Sequence, residues 1–371
     1  MLGMTRGSLK PGSLNGRRVV VLGLARQGTA LVRFLAHEGA KVVVSDLRDA
    51  DSLRETLEGL KDVQARYILG EHPFSILDGA DLVCTSGGVP IDAPIVLEAI
   101  RRGIPLSNDA QLFLERCPAP VVGITGSSGK TTTTVLVGRA LQRSGFLTWV
   151  GGNVGRPLVD RLGEIAERDK VVIELSSFQL ELMTVSPDVA AILNITPNHL
   201  DRHGTMAAYS AAKKRILAYQ GPSDLALLSR DDAGSRNVAP EVRGELAYFG
   251  AEDLDGDLPL NDGADTATGA YLRDGAVVVR LAGQEHRICE TDEIKLLGKH
   301  NVSNVLAASV LAAVAGAPAQ AIHQVVTNFS GVEHRLQLVR TLRGVRYYDD
   351  SIATAPERSV AAMKVFQEPI V

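Results

Sequence analysis

Short apolar, β-branched runs alternate with stretches of helical periodicity along most of the chain. VVVLGL (19–24) is the first such run, and residues 28–38 repeat their apolar positions at the spacing of an amphipathic helix. KVVVSD (41–46) and ADLVCTS (80–86) are further strand candidates, followed by a helix around 94–102. Strands of this kind separated by helices predict a parallel sheet built from βαβ units. The pattern resumes at PVVGIT (120–125) and runs through FLTWVG (146–151), KVVIELSS (170–177) and DVAAILNIT (188–196), which predicts a second doubly wound sheet. Residues 251–290 break it. There, Gly- and Asp-rich turns (DLDGDLPLNDGADTATGA) separate short alternating strands such as AVVVRLAG, the mark of antiparallel hairpins attached to the second unit. Two helices follow, KHNVSNVLAASVLAAVA and PAQAIHQVVTNF. A third α/β unit begins near 331 with LQLVRTLRGVRYYDDS and the helix APERSVAAMKVF.

The expected organisation is therefore α/β throughout, with domains over 1–107, 108–330 and 331–371. The final EPIV reads as the opening of another strand, and a sheet ending there would expose an unpaired edge. The third domain is accordingly expected to be incomplete.

Composition narrows the class. A length of 371 residues fits two or three domains, and 45% hydrophobic with 22% charged residues is the balance of a soluble globular protein. A formal charge of -4 argues against a nucleic-acid binder working through bulk positive charge. No apolar run approaches a membrane span, and the basic leader 1–18 lacks a secretory core, so it reads as a loose extension. Cys84, Cys117 and Cys289 are scattered, which fits a reducing cytosol without disulfides. A cytoplasmic enzyme or binder is expected.

The chemistry starts at APVVGITGSSGKTTTTVLVGRAL (119–141). Five residues separate Gly123 from Gly129, where the Walker pattern G-x-x-x-x-G-K-[ST] has four. A strand, then Gly126, Ser127, Gly129, Lys130, Thr131 and Thr132, then a helix is the context of a phosphate site. Backbone N–H groups and the helix N-terminus would face the anion, Lys130 would add a point charge, and Thr131 could offer its hydroxyl to Mg2+. The bland alternative is a Gly/Ser turn with an exposed lysine. Four consecutive threonines are poor helix formers, however, so something besides propensity keeps them there.

Other polar residues collect at predicted strand ends. Glu174 closes one strand; alone it reads as structural, but beside a phosphate loop it can hold Mg2+ or its waters. LNITPNHLDRHG brings His199, Asp201 and His203 into one loop. By residue type this could be a transition-metal site; for Asp201 and His203 we take the plainer reading, a loop in which Asp201 caps the coming helix. Lys213 and Lys214 are adjacent on that helix, about 100° apart, so only one can face the site. Asn301 and Asn304 lie one turn apart on one helix face, suited to an adenine edge or simply to capping and surface. Near the N-terminus, Gly23, Ala25 and Gly28 approximate G-x-G-x-x-G, with Asp46 at the end of the second strand. Taken alone, this favours a nucleotide such as NAD, although Ala25 would crowd a pyrophosphate.

Together, G-x-T-G-[ST]-x-G-K-[ST], ELSSFQLE (174–181) and GKHNVSNVLAA (298–308) resemble the Mur ligases, ATP-dependent amide-forming enzymes of peptidoglycan synthesis. The folylpolyglutamate synthases share the loop. ELSSFQLE resembles the D-glutamate-adding branch, and matching segments run in order to about residue 358. The resemblance implies a three-domain architecture: a Rossmann-like N-terminal domain, a central P-loop ATPase-like domain with added antiparallel strands, and a Rossmann-like C-terminal domain, here truncated. These would bind a UDP-substrate, ATP and the amino acid respectively.

By the same resemblance, Glu174 and His199 are ligands of two Mg2+ ions, and Lys213, in the family's A-A-K, is the lysine carbamylated in many members. Asn301 and Asn304 would contact adenine, and Arg335 and Asp350 would approach ATP. Ile352 departs from a common D-S-K-A-T pattern and leaves any role of that lysine unfilled. Gly23, Leu24, Ala25, Arg26, Asp46 and Arg48 would surround uridine and diphosphate, Ser86 and Gly87 in TSGGVP would add loop N–H groups, and Asn153 would reach the substrate. The implied substrates are UDP-N-acetylmuramoyl-L-alanine and D-glutamate, joined through an acyl phosphate by a monomer. The family's C-terminal residues for the amino acid fall beyond this sequence, so the chain is expected to bind both nucleotides better than it catalyses. Two other readings stay open. A sibling or folate-type ligase would share the loop but not ELSSFQLE. A non-catalytic NAD-binding module would leave Lys130, Glu174, His199 and Lys213 unexplained.

Overall fold

Valines and leucines with no polar alternation fold as strands covered on both faces, and the first of them sets the frame. The structure, a computed structural model, describes residues 12–153, 155–251, 268–332, 334, 336–351, 353, 356–363, 366 and 369–370. The first unit comprises β1 (Arg18–Leu22), α1 (Arg26–His37), β2 (Lys41–Asp46), α2 (Arg54–Glu58), β3 (Ala65–Leu69), β4 (Leu82–Thr85), α3 (Pro94–Arg101) and β5 (Leu106–Ser107). Its five strands are all parallel in the order β3-β2-β1-β4-β5. The chain reverses its direction of winding between β1 and β4, so a crevice opens beyond their carboxyl ends, at Gly23 and Ser86.

The second unit follows through α4 (Asp109–Arg116), β6 (Val121–Thr125), α5 (Lys130–Arg143), β7 (Thr148–Gly152), β8 (Lys170–Glu174) and α6 (Ser177–Leu180). It continues with β9 (Val189–Ile192), α7 (Leu200–His203), α8 (Met206–Lys214), β10 (Leu225–Ser229), α9 (Ala233–Arg236) and β11 (Glu245–Gly250). Then come β12 (Gly269–Arg273), β13 (Ala276–Leu281), β14 (Gln284–Glu290), α10 (Lys299–Val314) and α11 (Ala319–Asn328). The nine-stranded sheet has the order β14-β13-β12-β11-β10-β9-β6-β8-β7. β6 lies between β8 and β9, so the loop after β6 is flanked by the ends of both neighbours. The hairpins expected over 251–290 are present as antiparallel β12-β13-β14, with β12 joined to β11 in parallel. Residues 252–267, most of the turn-rich run, lie outside the described residues, as do residues 1–11 of the leader.

The third unit contributes a hairpin, β15 (Gln337–Leu342) with β16 (Val345–Asp349), and α12 (Pro356–Met363). Pro369 and Ile370 of the final EPIV are not in a strand.

One buried cluster runs from Val19, Leu31 and Leu35 of the first unit through Phe113 of α4 to Val171 and Leu180 of the second. Burying each such side chain contributes about 1.5–3 kcal/mol, so α4 packs the two units together. Among the described residues no helix is long and apolar enough to cross a membrane.

One local expectation fails. Asp201 does not cap the helix that carries Lys213; it sits inside the one-turn α7. Thr205 caps α8, its side chain accepting from the Ala208 N–H at 3.1 Å. Thr205 lies immediately before the first helical residue, where a hydroxyl in extended backbone reaches the first-turn N–H groups.

Candidate functional site

The loop after β6 is held by its neighbours rather than by itself. Ser127 and Ser128 donate their N–H groups to Asn194 at the end of β9, at 3.0 and 2.8 Å. The Ser127 hydroxyl donates to Thr196 O (2.8 Å) and accepts from Thr196 N–H (2.9 Å) and from the Tyr209 hydroxyl (3.0 Å). Ser127, expected at the phosphate, therefore turns its side chain inward and frames the loop. Gly129 sits at φ 81° as the residue before α5, and a Cβ there would lie 2.2 Å from Asn304 Oδ1. Both the left-handed backbone and the close approach require glycine. From Lys130 onward the first turn of α5 presents N–H groups that have no intrahelical acceptor, the source of an anion site. Thr132 is buried, so only its backbone can serve a ligand.

Glu174 ends β8 beside this loop, and its carboxylate is 1% exposed. Oε2 accepts from the Thr131 hydroxyl at 2.9 Å and Oε1 from the Asn153 amide at 3.0 Å. A buried carboxylate with a hydroxyl on one oxygen is an oxygen donor set that suits Mg2+ completed by waters or phosphates. Among the described residues no three His, Cys, Asp or Glu side chains gather as a metal site.

Lys130 folds back on the loop, donating to Gly126 O at 2.8 Å and Ser127 O at 3.4 Å. Lys213 reaches the same place from α8, donating to Gly126 O (2.9 Å) and Thr125 Oγ1 (3.4 Å), with its ammonium 4.7 Å from the centre of the Tyr209 ring. It is 1% exposed. Burial, reinforced by the Lys130 charge and opposed by Glu174, pushes its amine well below the usual lysine range. Lys214 points elsewhere, pairing with Glu241. His199 is exposed, at φ 53° as the N-cap of α7, with Phe178 edge-on to its ring at 5.3 Å.

Helix α10 enters from the far side of the loop. Asn304 donates to Asn301 Oδ1 at 2.9 Å and Asn301 to Leu297 O at 2.7 Å, so the pair is ordered with Asn304 Oδ1 against Gly129. Asp350 accepts from Leu336 N–H at 3.1 Å and ties the ends of the β15–β16 hairpin. Arg335 and Ile352 lie outside the described residues.

In the first unit, Asp46 Oδ2 accepts from Leu24 N–H at 2.6 Å, and both oxygens take the Arg48 guanidinium. Burial alone would raise this carboxyl, but the Arg48 side chain and the Leu24 and Arg48 N–H groups outweigh it and hold it at about 2. Asp46 thus fixes the glycine loop. Gly23, at φ 84°, leaves no room for a Cβ against Ser86 Oγ, and Gly87 N–H donates to Gln27. Ala25 is the exposed residue before α1. Arg26 crosses to the second unit and donates to Asn153 O at 2.6 Å.

A shallow cleft opens between the units, lined by Ser86, Gly87, Asn108, Phe178, Gln179 and Arg202 among others. The sequence reading gave Asn108, Phe178, Gln179 and Arg202 no role. Phe178 and Gln179 lie within ELSSFQLE, so that segment's wording was the available signal.

Residues 124–312 match the Mur ligase middle domain, and residues 17–108 match the N-terminal domain of Mur ligases described as MurD-like. The chain is 42% identical over 354 residues to a UDP-N-acetylmuramoylalanine–D-glutamate ligase from Symbiobacterium thermophilum, covering 95% of this chain and 76% of that one. The enzyme of that name from Acetivibrio thermocellus is 38% identical over 358 residues, covering 96% and 74%. Among solved structures, UDP-N-acetylmuramate-alanine ligase from Thermotoga maritima superposes with a TM-score of 0.56 at 20% identity, covering 94% of this chain and 77% of that one. At that identity the likeness speaks for the fold.

Proposed function

The chain belongs to the Mur ligase family, and from that membership we infer that it is an ATP-dependent ligase joining D-glutamate to UDP-N-acetylmuramoyl-L-alanine in peptidoglycan synthesis. ATP and Mg2+ are its cofactors. The observation that carries the site assignment is the meeting of Thr131, Glu174, Lys130 and Lys213 around Gly126, at the point where β6 passes between β8 and β9.

A carboxylate does not condense with an amine in water, so it is first activated. The γ-phosphoryl group of ATP passes to the L-alanyl carboxylate, releasing ADP and forming an acyl phosphate. The D-glutamate amine attacks the acyl carbon, the C–O bond to phosphate breaks, and the amine gives up its proton. Lys130 leaves Gly126 O to meet the β- and γ-phosphates, and the first-turn N–H groups of α5 hold them. Thr131 and Glu174 would hold one Mg2+ and His199 a second; when bound, Mg2+ offsets the crowded phosphate charge. Lys213 is the site of carbamylation: CO2 adds only to a neutral amine, and burial beside Lys130 supplies one. Asn301 and Asn304 face the adenine, while Gly23–Arg26, Arg48, Ser86, Gly87 and Asn153 line the path of the UDP-substrate. Residues 1–107, 108–330 and 331–371 serve the UDP-substrate, ATP and amino acid in turn, in a cytoplasmic monomer.

Calorimetric binding of UDP-N-acetylmuramoyl-L-alanine, compared with UDP-N-acetylmuramate, a longer UDP-muramoyl peptide and NADH, tests this reading. Selective binding of the L-alanyl compound supports it. Binding of NADH with no UDP compound bound overturns it.

A further inference from the structure

His199 stands at φ 53°, in the left-handed region that few non-glycine residues occupy and that costs about 1–2 kcal/mol. The helix it precedes, α7, is a single turn, too short to be stable by itself. A side chain anchored outside α7 must fix both its position and the direction of the His199 ring.

That support is His203. Its N–H donates to His199 O at 3.0 Å, closing the turn. Its side chain is 1% exposed and bonded at both nitrogens to α6 and the residue after it: Nε2 to Ser177 Oγ and Nδ1 to Glu181 Oε1, each at 2.9 Å. Opposite a carboxylate, Nδ1 carries the proton, which leaves Nε2 to accept from the Ser177 hydroxyl. The ring stacks on Phe178 at 5.0 Å with 4° between the planes, and the other side of the contact is Phe178 meeting His199 edge-on. Tyr209, edge-on to His203 at 5.1 Å, continues the contact to Ser127 of the phosphate loop. The order Ser177, His203, Glu181 is that of a nucleophile, base and acid, but Ser177 is 3% exposed and opens helix α6, so the arrangement serves position and not attack.

We infer that His203 is a positioning residue for the reaction: it clamps α7 onto α6 and thereby holds the imidazole of His199 toward the metal. This rests on the reading of His199 as a metal ligand. The link runs through the turn's backbone and Phe178 rather than through a bond to the His199 ring, so its loss should weaken the metal by about tenfold, the lower end for partners bonded directly to a ligand.

The test is pulsed electron paramagnetic resonance of Mn2+ bound to the chain with a non-hydrolysable ATP analogue, reading the nitrogen coupling of a ligating imidazole. Three variants are compared with the unmodified chain, with folding followed by circular dichroism. His199→Ala should lose the coupling. His203→Phe keeps the stack on Phe178 but neither hydrogen bond, and should lose most of the coupling and weaken that ion about tenfold or more. His203→Asn keeps a donor where Nδ1 stood and should recover part of both. If His203→Phe does not fold, Glu181→Gln, which removes only the carboxylate, takes its place and should weaken the coupling in the same direction. Full coupling in His203→Phe, or in Glu181→Gln where it takes its place, with the coupling lost in His199→Ala, overturns the inference alone. Unchanged coupling in His199→Ala overturns the ligand reading and the inference with it.

Discussion

Lys130 and Lys213 donate to the same oxygen, the carbonyl of Gly126, at 2.8 and 2.9 Å. Two ammonium groups on one acceptor repel each other, and at Lys213 no water offsets the repulsion. The arrangement is relieved by an anion between them or by loss of one charge, and burial favours that loss at Lys213. Its amine is therefore available to CO2. Intact-protein mass spectrometry under CO2 should show an adduct of one CO2 that is absent in Lys213→Met. An adduct of equal yield in Lys213→Met would place the modification elsewhere.

The same burial predicts a stability change with a definite sign. The folded pKa of Lys213 lies below its unfolded value of 10.5, so between the two the unfolded chain binds more protons and stability rises with pH. At neutral pH the buried amine therefore weakens the fold. Lys213→Met should raise the melting temperature while abolishing ligase turnover, the usual trade between stability and function. A lowered melting temperature would mean that the bonds to Gly126 and Thr125 outweigh desolvation.

Lys130→Ala separates the two nucleotide sites. A hydrogen bond to a charged group contributes about 1.5–3 kcal/mol, so ATP binding should fall on the order of tenfold to a hundredfold. Binding of the UDP-substrate should be unchanged, since the Lys130 bonds to Gly126 O and Ser127 O lie in the loop of the ATP site. Isothermal titration with each ligand checks both halves.

Acid should loosen the glycine loop of the N-terminal unit. Asp46 is held at about 2 against an ordinary 3.8, so its contribution is present above 3.8 and lost as pH falls toward 2. With Arg48 partly in solvent, about 1–2 kcal/mol is a fair size. Urea unfolding of Asp46→Ala should show that loss at pH 7 and a smaller one near pH 3; equal losses at both would show that packing, not charge, is what Asp46 provides.

Legibility from sequence followed the physics of each element. The apolar runs of β1, β2, β6 and β8 declared themselves because both sheet faces are covered. α4 was missed because Asp109, Gln111 and Glu115 are polar yet buried: Gln111 bonds Glu115 and Thr184, and Asp109 bonds Gln179. Periodicity cannot register a helix whose inward side is satisfied by polar partners from elsewhere in the chain. The loop after β6 was legible because its left-handed backbone and close approach to Asn304 require glycine at 129. The contacts of the His203 ring with Ser177, Glu181 and Phe178 were not, since four-residue spacing says nothing about which way a ring points.

A line of contacts joins the two proposed nucleotide sites: Arg26 donates to Asn153 O, the Asn153 amide donates to Glu174 Oε1, and Glu174 Oε2 takes the Thr131 hydroxyl. A UDP-substrate whose diphosphate draws Arg26 away from Asn153 would alter the amide that steadies Glu174, and with it the Mg2+–ATP site. Any such effect is reciprocal, because a coupling free energy belongs to both ligands. UDP-substrate should thus change the dissociation constant of Mg2+–ATP by the same factor that Mg2+–ATP changes its own, on the order of fivefold or more. Arg26→Ala keeps Asn153 and Glu174 in place but cuts the line, so each ligand should still bind while the factor falls toward one. The four titrations of a thermodynamic cycle, run on both proteins, measure it directly. A factor that survives Arg26→Ala would route the coupling through α4 and the buried cluster that packs the units together.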